Sequence, residues 1–317
     1  MHQTSFLCET AIPAVIESGP LEAQAFVQYY KTHQAEIESE LLVKGAIKFT
    51  GVKIPSVETF QYIVDAISSK FLSYIDGNSP RTKLSGNVYT STEYDQTQRI
   101  TMHNELSYSA RWPNKIFFSC LHPAATGGET LIADSRVILQ AMSKDIVDEV
   151  KAKGITYIRN LHGGSGMGPS WQDTFETSDK AQLEAYCNSY GIQYEWAEGN
   201  MLRLKQPARG IIQHRAGSGE LWFNQIDQFH PCHLGEEMLE TLSLIYETPE
   251  RFPMYVTYGD GSEIAEEVVH EILDTIAEVT IAPAWNQDEL LILDNELVAH
   301  GRASYTGYRK VLVAMSE

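Results

Sequence analysis

The chain has 317 residues, 43% of them hydrophobic, enough to bury a sizeable core in one large domain or two ordinary ones. With 42 acidic against 24 basic side chains its formal net charge is −18, which repels polyanions, and no basic run or aromatic–basic platform offers a nucleic-acid surface. Four scattered cysteines (Cys8, Cys120, Cys187, Cys232) form no CxxC pair, Met1-His2-Gln3-Thr4-Ser5 lacks the basic start of a signal peptide, and no apolar run approaches the roughly 20 residues that span a bilayer; the expectation is a cytoplasmic protein with reduced thiols and no membrane partner.

In chain order, residues 21–43 have the apolar spacing of a helix and residues 45–52 alternate as a strand. Ser56 reads as an N-cap for an amphipathic helix running to Phe71. A polar, Gly- and Tyr-containing stretch follows, with a strand at residues 86–91. Lys115-Ile116-Phe117-Phe118-Ser119-Cys120-Leu121 is a buried strand; Gly127-Gly128 turns the chain into a strand at residues 129–134. Residues 135–153 read as helical and residues 154–159 as a strand. The glycines of residues 162–168 have neither the spacing of a dinucleotide turn nor a Gly-Lys-Ser/Thr, and Pro169-Ser170-Trp171 follows in place of a helix start, so this is read as an active-site loop or lid. Residues 178–190 form a helix stopped by Gly191, residues 213–225 a hairpin with a Gly-Ser-Gly tip, residues 262–279 a helix, and residues 289–315 two β-runs joined by residues 301–307. The sum is a mixed, β-rich architecture in a single domain over residues 1–317, with a helical N-terminal part over 1–44 and a lid-like insertion at about 160–200.

The chemistry concentrates in Thr101-Met102-His103-Asn104-Glu105-Leu106-Ser107-Tyr108. In an extended segment His103 and Glu105 point to one side and Asn104 to the other. A lone His-x-Glu is more often a surface group or a satisfied hydrogen-bond partner. One His and one carboxylate are, however, two of the three ligands of a facial-triad iron site. A second His is available where an apolar strand ends, at His300-Gly301-Arg302, with Arg309 and Lys310 beyond it. Buried cations near a metal need an anion, and arginine holds a carboxylate through two parallel hydrogen bonds. His, carboxylate, distal His and then Arg therefore reads as iron plus a dicarboxylate cosubstrate.

Four motifs together carry a family resemblance: His103-Asn104-Glu105-Leu106-Ser107-Tyr108; Gly127-Gly128-Glu129-Thr130-Leu131-Ile132-Ala133-Asp134-Ser135-Arg136; residues 220–225; and His300-Gly301-Arg302 through Gly307-Tyr308-Arg309-Lys310-Val311. Over roughly residues 45 to 315 the chain resembles the taurine dioxygenase/clavaminate synthase-like family of iron(II)- and 2-oxoglutarate-dependent oxygenases, and within it the syringomycin-type hydroxylases of non-ribosomal peptide pathways. The resemblance implies a double-stranded β-helix (a cupin-like jelly roll) with flanking α-helices, iron on His103, Glu105 and His300, and 2-oxoglutarate and O2 as cosubstrates. It implies that Thr130 and Arg309 hold the distal carboxylate of 2-oxoglutarate, with Arg302 as the competing anchor. Glu105 stands where family halogenases have a small residue, which points to hydroxylation, desaturation or cyclisation. Many relatives carry a further Arg after the anchor; Val313, Ala314 and Met315 stand here, which argues against a sulfonate substrate. The implied substrate is an amino acid or an aminoacyl group on a carrier protein, and Tyr108 and Asn224 are the substrate-contact candidates.

One rival site and two rival roles remain at this level. Two His and a Glu also bind zinc for hydrolysis, although the chain has no His-Glu-x-x-His. His230-Pro231-Cys232-His233 has metal-binding residue types crowded around a proline. A non-catalytic metal or ligand sensor would leave Thr130 and Arg309 without a reason to accompany the ligands.

Overall fold

A computed structural model describes residues 12–72, 75–77, 81–91, 94–217 and 219–317. Cys8, the first residues of the chain and Ser218 at the expected hairpin tip lie outside the described residues. The architecture is mixed and strand-rich.

The first strand, β1 (Ala14–Leu21), pairs in parallel with β2 (Ala46–Val52). Between them the helical spacing over residues 21–43 is realised as two helices, α1 (Ala23–Thr32) and α2 (Gln34–Lys44). His33 leaves helical geometry (φ −107°, ψ 18°) and turns its Nδ1 to the Tyr29 carbonyl, so the break needs neither Gly nor Pro. Next, α3 (Val57–Ile67) is capped by Ser56, whose hydroxyl accepts from the Thr59 N–H, and buries Phe60, Ile63, Val64 and Ile67 at helical spacing. Two short strands, β3 (Lys83–Ser85) and β4 (Val88–Thr90), lead to β5 (Ile100–His103) and β6 (Lys115–His122). After β7 (Thr126–Gly127) and β8 (Thr130–Asp134), the helical segment 135–153 comprises α4 (Ser135–Ala141) and α5 (Lys144–Lys153), divided by an extended and buried Met142.

The region from 155 to 258 builds a separate four-stranded sheet of β9 (Ile155–Leu161), β10 (Gln193–Ala197), β11 (Met201–Ala208) and β14 (Met254–Tyr258), in the order β10-β11-β9-β14. Contrary to the sequence reading, a helix does start at the Pro-Ser-Trp step. Ser170 accepts from the Asp173 N–H and opens α6 (Trp171–Phe175), followed by α7 (Lys180–Tyr190), which ends at a left-handed Gly191. Trp171, Phe175, Leu183 and Cys187 of these helices bury Leu161, Leu202 and Leu204 of the sheet. A hairpin of β12 (Ile211–Gln213) and β13 (Glu220–Trp222) precedes α8 (Ile226–Phe229) and α9 (Glu236–Ile245). The last elements are α10 (Glu266–Val279), β15 (Glu289–Asp294), β16 (Val298–Arg302), β17 (Tyr305–Thr306) and β18 (Lys310–Ser316).

Two further sheets place the site. A seven-stranded sheet runs β1-β2-β15-β6-β18-β4-β3; a three-stranded sheet runs β5-β16-β8. α1, α2 and α3 cover the outer face of the large sheet through Phe26, Leu41, Phe60 and Ile63. α4 and α10 cover the outer face of the small one, where Met102, Leu131, Ala133 and Ala299 meet Ile138, Val269, Ile272 and Ile276. Between the sheets Phe118, Leu291 and Val313 pack on Ile132 and Val298. Strand alternation then sends the neighbours of Ile132 and Val298 that share their face, Thr130 and His300, into the same interior. Among the described residues no helix is long and apolar enough to cross a membrane.

Candidate active site

The centre of the site is a strand pairing. β16 lies between β5 and β8, and His300 is the register partner of His103 on one side and of Ile132 on the other. The two imidazoles therefore stand side by side, with ring centroids 4.4 Å apart. This closeness depends on Gly301: a Cβ there would lie 2.6 Å from the Ile100 carbonyl oxygen and 3.1 Å from the Met102 sulfur.

Glu105 reaches the same point by a different route from simple alternation. β5 ends at His103, and residues 105–108 are already a turn in which Leu106 takes φ 58°. Asn295 fixes that turn: its Oδ1 accepts from the Glu105 N–H at 2.7 Å and its Nδ2 donates to the Glu105 carbonyl at 3.0 Å. Asn104 faces away, as expected, and donates to Ser135 and to the Asn295 carbonyl. His103, Glu105 and His300 are all buried, and one ligand atom from each lies within 4.8 Å of the others.

The donor set fits a divalent ion. His103 donates from Nδ1 to the Thr101 carbonyl at 2.9 Å, which leaves Nε2 as a lone pair, and burial beside His300 pushes its pKa down to about 4. Burial opposes ionisation of Glu105, but the Arg81 guanidinium and the two imidazoles outweigh it and hold the carboxyl well below the usual range. His300 keeps a buried Nδ1 without a hydrogen-bond partner, and its Nε2 lies 3.6 Å from Glu105 Oε2. Two imidazoles and one carboxylate at one point are the donors that a non-haem iron(II) ion takes, with positions left open.

A cavity borders these donors, lined by Arg81, Ser91, Ile100, His103, Phe118, Thr130, His300, Gly301, Arg302 and Arg309. Thr130 is buried, and its Oγ1 accepts from Trp285 Nε1 at 2.9 Å. Arg309 immediately precedes β18 and lies against the Gly127-Gly128 turn, donating from Nε to the Gly128 carbonyl at 2.8 Å and from Nη1 to Ser91 Oγ at 3.2 Å. A Cβ on Gly128 would meet the Arg309 side chain at 2.9 Å, and its φ of 75° suits glycine. Burial lowers the Arg309 pKa to about 10, so the guanidinium is still charged at neutral pH. Arg302 differs: its guanidinium is held by the carbonyls of Tyr94, Asp95 and Gln98.

Tyr108 and Asn224, the candidate substrate contacts, are placed in the packed interior and do not line this cavity. Tyr108 donates to the Asp76 carbonyl and packs against Phe229 and Tyr157. Asn224 donates to the Gly210 carbonyl and accepts from the Ile226 N–H. At the rival cluster, His230 is committed to the Ile264 carbonyl and to Cys232, and among the described residues the only metal-competent grouping is His103, Glu105 and His300. The residue missed in the sequence is Arg81, whose ion pair with Glu105 spans 24 positions and leaves no local pattern to read.

Comparison with known proteins agrees with this geometry. The family model of the taurine catabolism dioxygenase TauD, TfdA family matches residues 17–315. The dapdiamide synthesis protein DdaC of Enterobacter agglomerans is 36% identical over 279 residues, covering 88% of this chain and 84% of its own. A clavaminate synthase-like protein of Arabidopsis thaliana is 30% identical over 313 residues, covering 96% and 90%. A crystal structure of a putative alpha-ketoglutarate-dependent taurine dioxygenase from Burkholderia xenovorans superposes with a TM-score of 0.55 at 12% identity, covering 97% of this chain and 91% of that one, a likeness of fold. Zinc hydrolysis falls away as a rival: the chain belongs to the taurine catabolism dioxygenase TauD, TfdA family and is an iron(II)- and 2-oxoglutarate-dependent oxygenase.

Proposed function

We propose that the chain hydroxylates an unactivated C–H bond of an amino acid, free or held as an aminoacyl group on a carrier protein, at iron held by His103, Glu105 and His300. The observation that carries the reading is the convergence of these three donors at a cavity whose wall also holds Thr130 and Arg309. The relative named for dapdiamide synthesis supports a biosynthetic role. The core is read as a double-stranded β-helix formed by the seven- and three-stranded sheets, and the whole chain as one domain. The segment at about 160–200 is read as its lid-like insertion: Arg159, at its base, pairs with Asp76, which in turn holds Tyr108 and Ser109 just beyond Glu105.

Bound together, iron(II) and 2-oxoglutarate reduce O2, release succinate and CO2, and supply an oxidant able to break a C–H bond. The protein's own residues position and shield that chemistry. The Thr101 carbonyl fixes the His103 tautomer so that Nε2 would be the ligand atom. Arg309 would clamp the distal carboxylate of 2-oxoglutarate, and the Thr130 hydroxyl, its oxygen already accepting from Trp285, would donate a hydrogen bond to the same group. Arg302 is the weaker anchor candidate because three carbonyls already engage it. Phe118 and Ile100 give the cavity an apolar wall that limits water near the reacting carbon. The intact Glu105 carboxylate keeps the halide position of a halogenase closed, which leaves desaturation or cyclisation as the second outcome of the same centre.

The test is anaerobic addition of iron(II) and 2-oxoglutarate, followed by O2. A weak visible charge-transfer band and then succinate are expected. No band and no succinate with any amino-acid substrate would sink the reading. Product mass separates hydroxylation, a gain of one oxygen, from desaturation, a loss of two hydrogens.

A further inference from the structure

We propose that Gln225 and Gln228 are positioning residues for the iron ligands: their side-chain amides grip the main-chain carbonyls of Thr101 and Asn104, one on each side of His103. This rests on the iron and 2-oxoglutarate reading and deepens it. The gripped segment is irregular. His300 faces His103 and Arg302 faces Ile100, so a two-residue step on β16 meets a three-residue step on β5. This bulge brings both Ile100 and His103 to the wall of the cavity, and β5 ends at His103. Glu105 already lies in the turn that follows. Two of the three ligands thus stand where regular sheet pairing gives out, although a metal site tolerates displacements of only about 0.5 Å.

Each of the two carbonyls takes one donor from its own neighbourhood and one from α8 or its N-cap. The Thr101 oxygen accepts from His103 Nδ1 at 2.9 Å and from Gln228 Nε2 at 3.2 Å. The Asn104 oxygen accepts from the Ser107 N–H at 3.1 Å and from Gln225 Nε2 at 3.0 Å. The local bonds close small rings within the ligand segment. The glutamine bonds use the second lone pair of each carbonyl and tie those rings to a separate element. Gln225 Nε2 also donates to Ser107 Oγ at 3.1 Å. Asn295 holds the Glu105 main chain from the turn between β15 and β16, so the segment is gripped from two elements. α8 is itself fixed. The Gln225 N–H donates to the Tyr157 hydroxyl at 2.8 Å, and Phe229 packs on Tyr157 and Tyr108 with ring centroids 4.7 and 5.2 Å away. Tyr157 belongs to β9, an inner strand of the four-stranded sheet. That sheet therefore reaches the ligand segment through Tyr157, Gln225 and Asn104.

The test is an anaerobic titration of the full chain with iron(II) at saturating 2-oxoglutarate, followed by the visible chelate band well below the melting temperature of every variant. Gln225→Met and Gln228→Met remove the amide and keep the length. Each is expected to weaken iron binding about 10- to 100-fold, the usual cost of losing a group that orients a metal ligand. Gln228 is half-buried, so the metal-free melting temperature of Gln228→Met should fall by no more than roughly 3 °C. Gln228→Glu keeps shape as well as length but offers no N–H at neutral pH, and should weaken iron binding at least as much as the Met variant. Tyr157→Phe should weaken it less than Gln225→Met does. If Gln225→Met does not fold, the two Gln228 variants decide. Absence of the band in the unaltered chain removes the iron reading and this inference with it. A band in the unaltered chain together with unchanged iron affinity in Gln228→Met overturns the positioning role alone. Iron binding in Gln228→Glu as tight as in the unaltered chain also overturns it, since the donated hydrogen bond would then be idle.

Discussion

Two buried clusters in this molecule use the same residue types for opposite ends. At one, His103, His300, Glu105 and Arg81 meet at the cavity. At the other, His214 and Arg215 meet Asp294 and Glu296 in the turn between β15 and β16. In the second cluster the acceptors are consumed from within. Asp294 Oδ1 takes the N–H groups of Glu296 and Leu297, while Glu296 takes Trp112 Nε1 and the Arg215 N–H. Burial alone would raise the Asp294 pKa, yet His214 and Arg215 hold it below the usual carboxylate value. In the first cluster His103 spends only Nδ1 on the backbone, His300 Nδ1 has no hydrogen-bond partner, and both residues line a cavity. Histidine, carboxylate and arginine in contact therefore do not define a site. What defines it is whether the backbone has already used their lone pairs.

This contrast can be broken by substitution. The largest effect is expected at the open cluster: His103→Ala should abolish the anaerobic iron–2-oxoglutarate band and the succinate that follows, with circular dichroism unchanged. At the closed cluster Asp294→Ala strands His214 and Arg215 beside a turn that has lost its acceptor. A cost of about 3–5 kcal/mol follows, read as a melting temperature lower by roughly 6–10 °C. If Asp294→Ala were instead as stable as the unaltered chain and lacked only activity, the division between the clusters would be wrong. Arg309→Ala should raise the 2-oxoglutarate requirement about 10- to 100-fold, the scale of one charge-assisted contact, with little change in melting temperature. The same shift in Arg302→Ala instead would exchange the two assignments.

The smallest effect concerns pH. The folded-state pKa of His103 is lowered to about 4, below its unfolded value, so the unfolded chain takes up the proton first. The associated stability is fully present above about pH 6.5 and declines as pH falls toward 4. By pH 5.5 the loss is on the order of 1 kcal/mol. Melting curves of the metal-free protein should show it, and His103→Gln should flatten that part of the profile. An unchanged slope in the variant would remove His103 as its source.

The donors of the open cluster were legible because each sits at an edge of a strong local pattern. His300 closes an apolar strand, and His103 and Glu105 flank one polar residue. The Gly127-Gly128 turn and Arg309 could each be singled out, but their contact could not, since it joins residues 181 positions apart. Arg81 had no signal at all, lying in a polar stretch ahead of two short strands. The fold was missed where pairing rather than composition makes the element. β1 contains Gly19-Pro20 and becomes a strand only by lying parallel to β2. The region from 226 to 261, with α8, α9 and β14, received no assignment because its helices are short and its strand pairs with β9, nearly a hundred residues earlier. The helical spacing over 21–43 and 135–153 did not show the breaks at His33 and Met142, where a side-chain cap and a buried extended residue divide each segment into two helices.

The register of β16 has a consequence for how this protein tolerates change in length. His300 lies opposite His103 because the strand from Val298 to Arg302 is held in step on both sides by β5 and β8. One residue inserted between Glu296 and His300 would leave composition, burial and strand propensity almost untouched. It would also rotate every following side chain to the other face of the sheet, sending the imidazole toward α10 and the next residue into the interior. The site is thus far more sensitive to a single-residue insertion or deletion in this short turn than to most substitutions there.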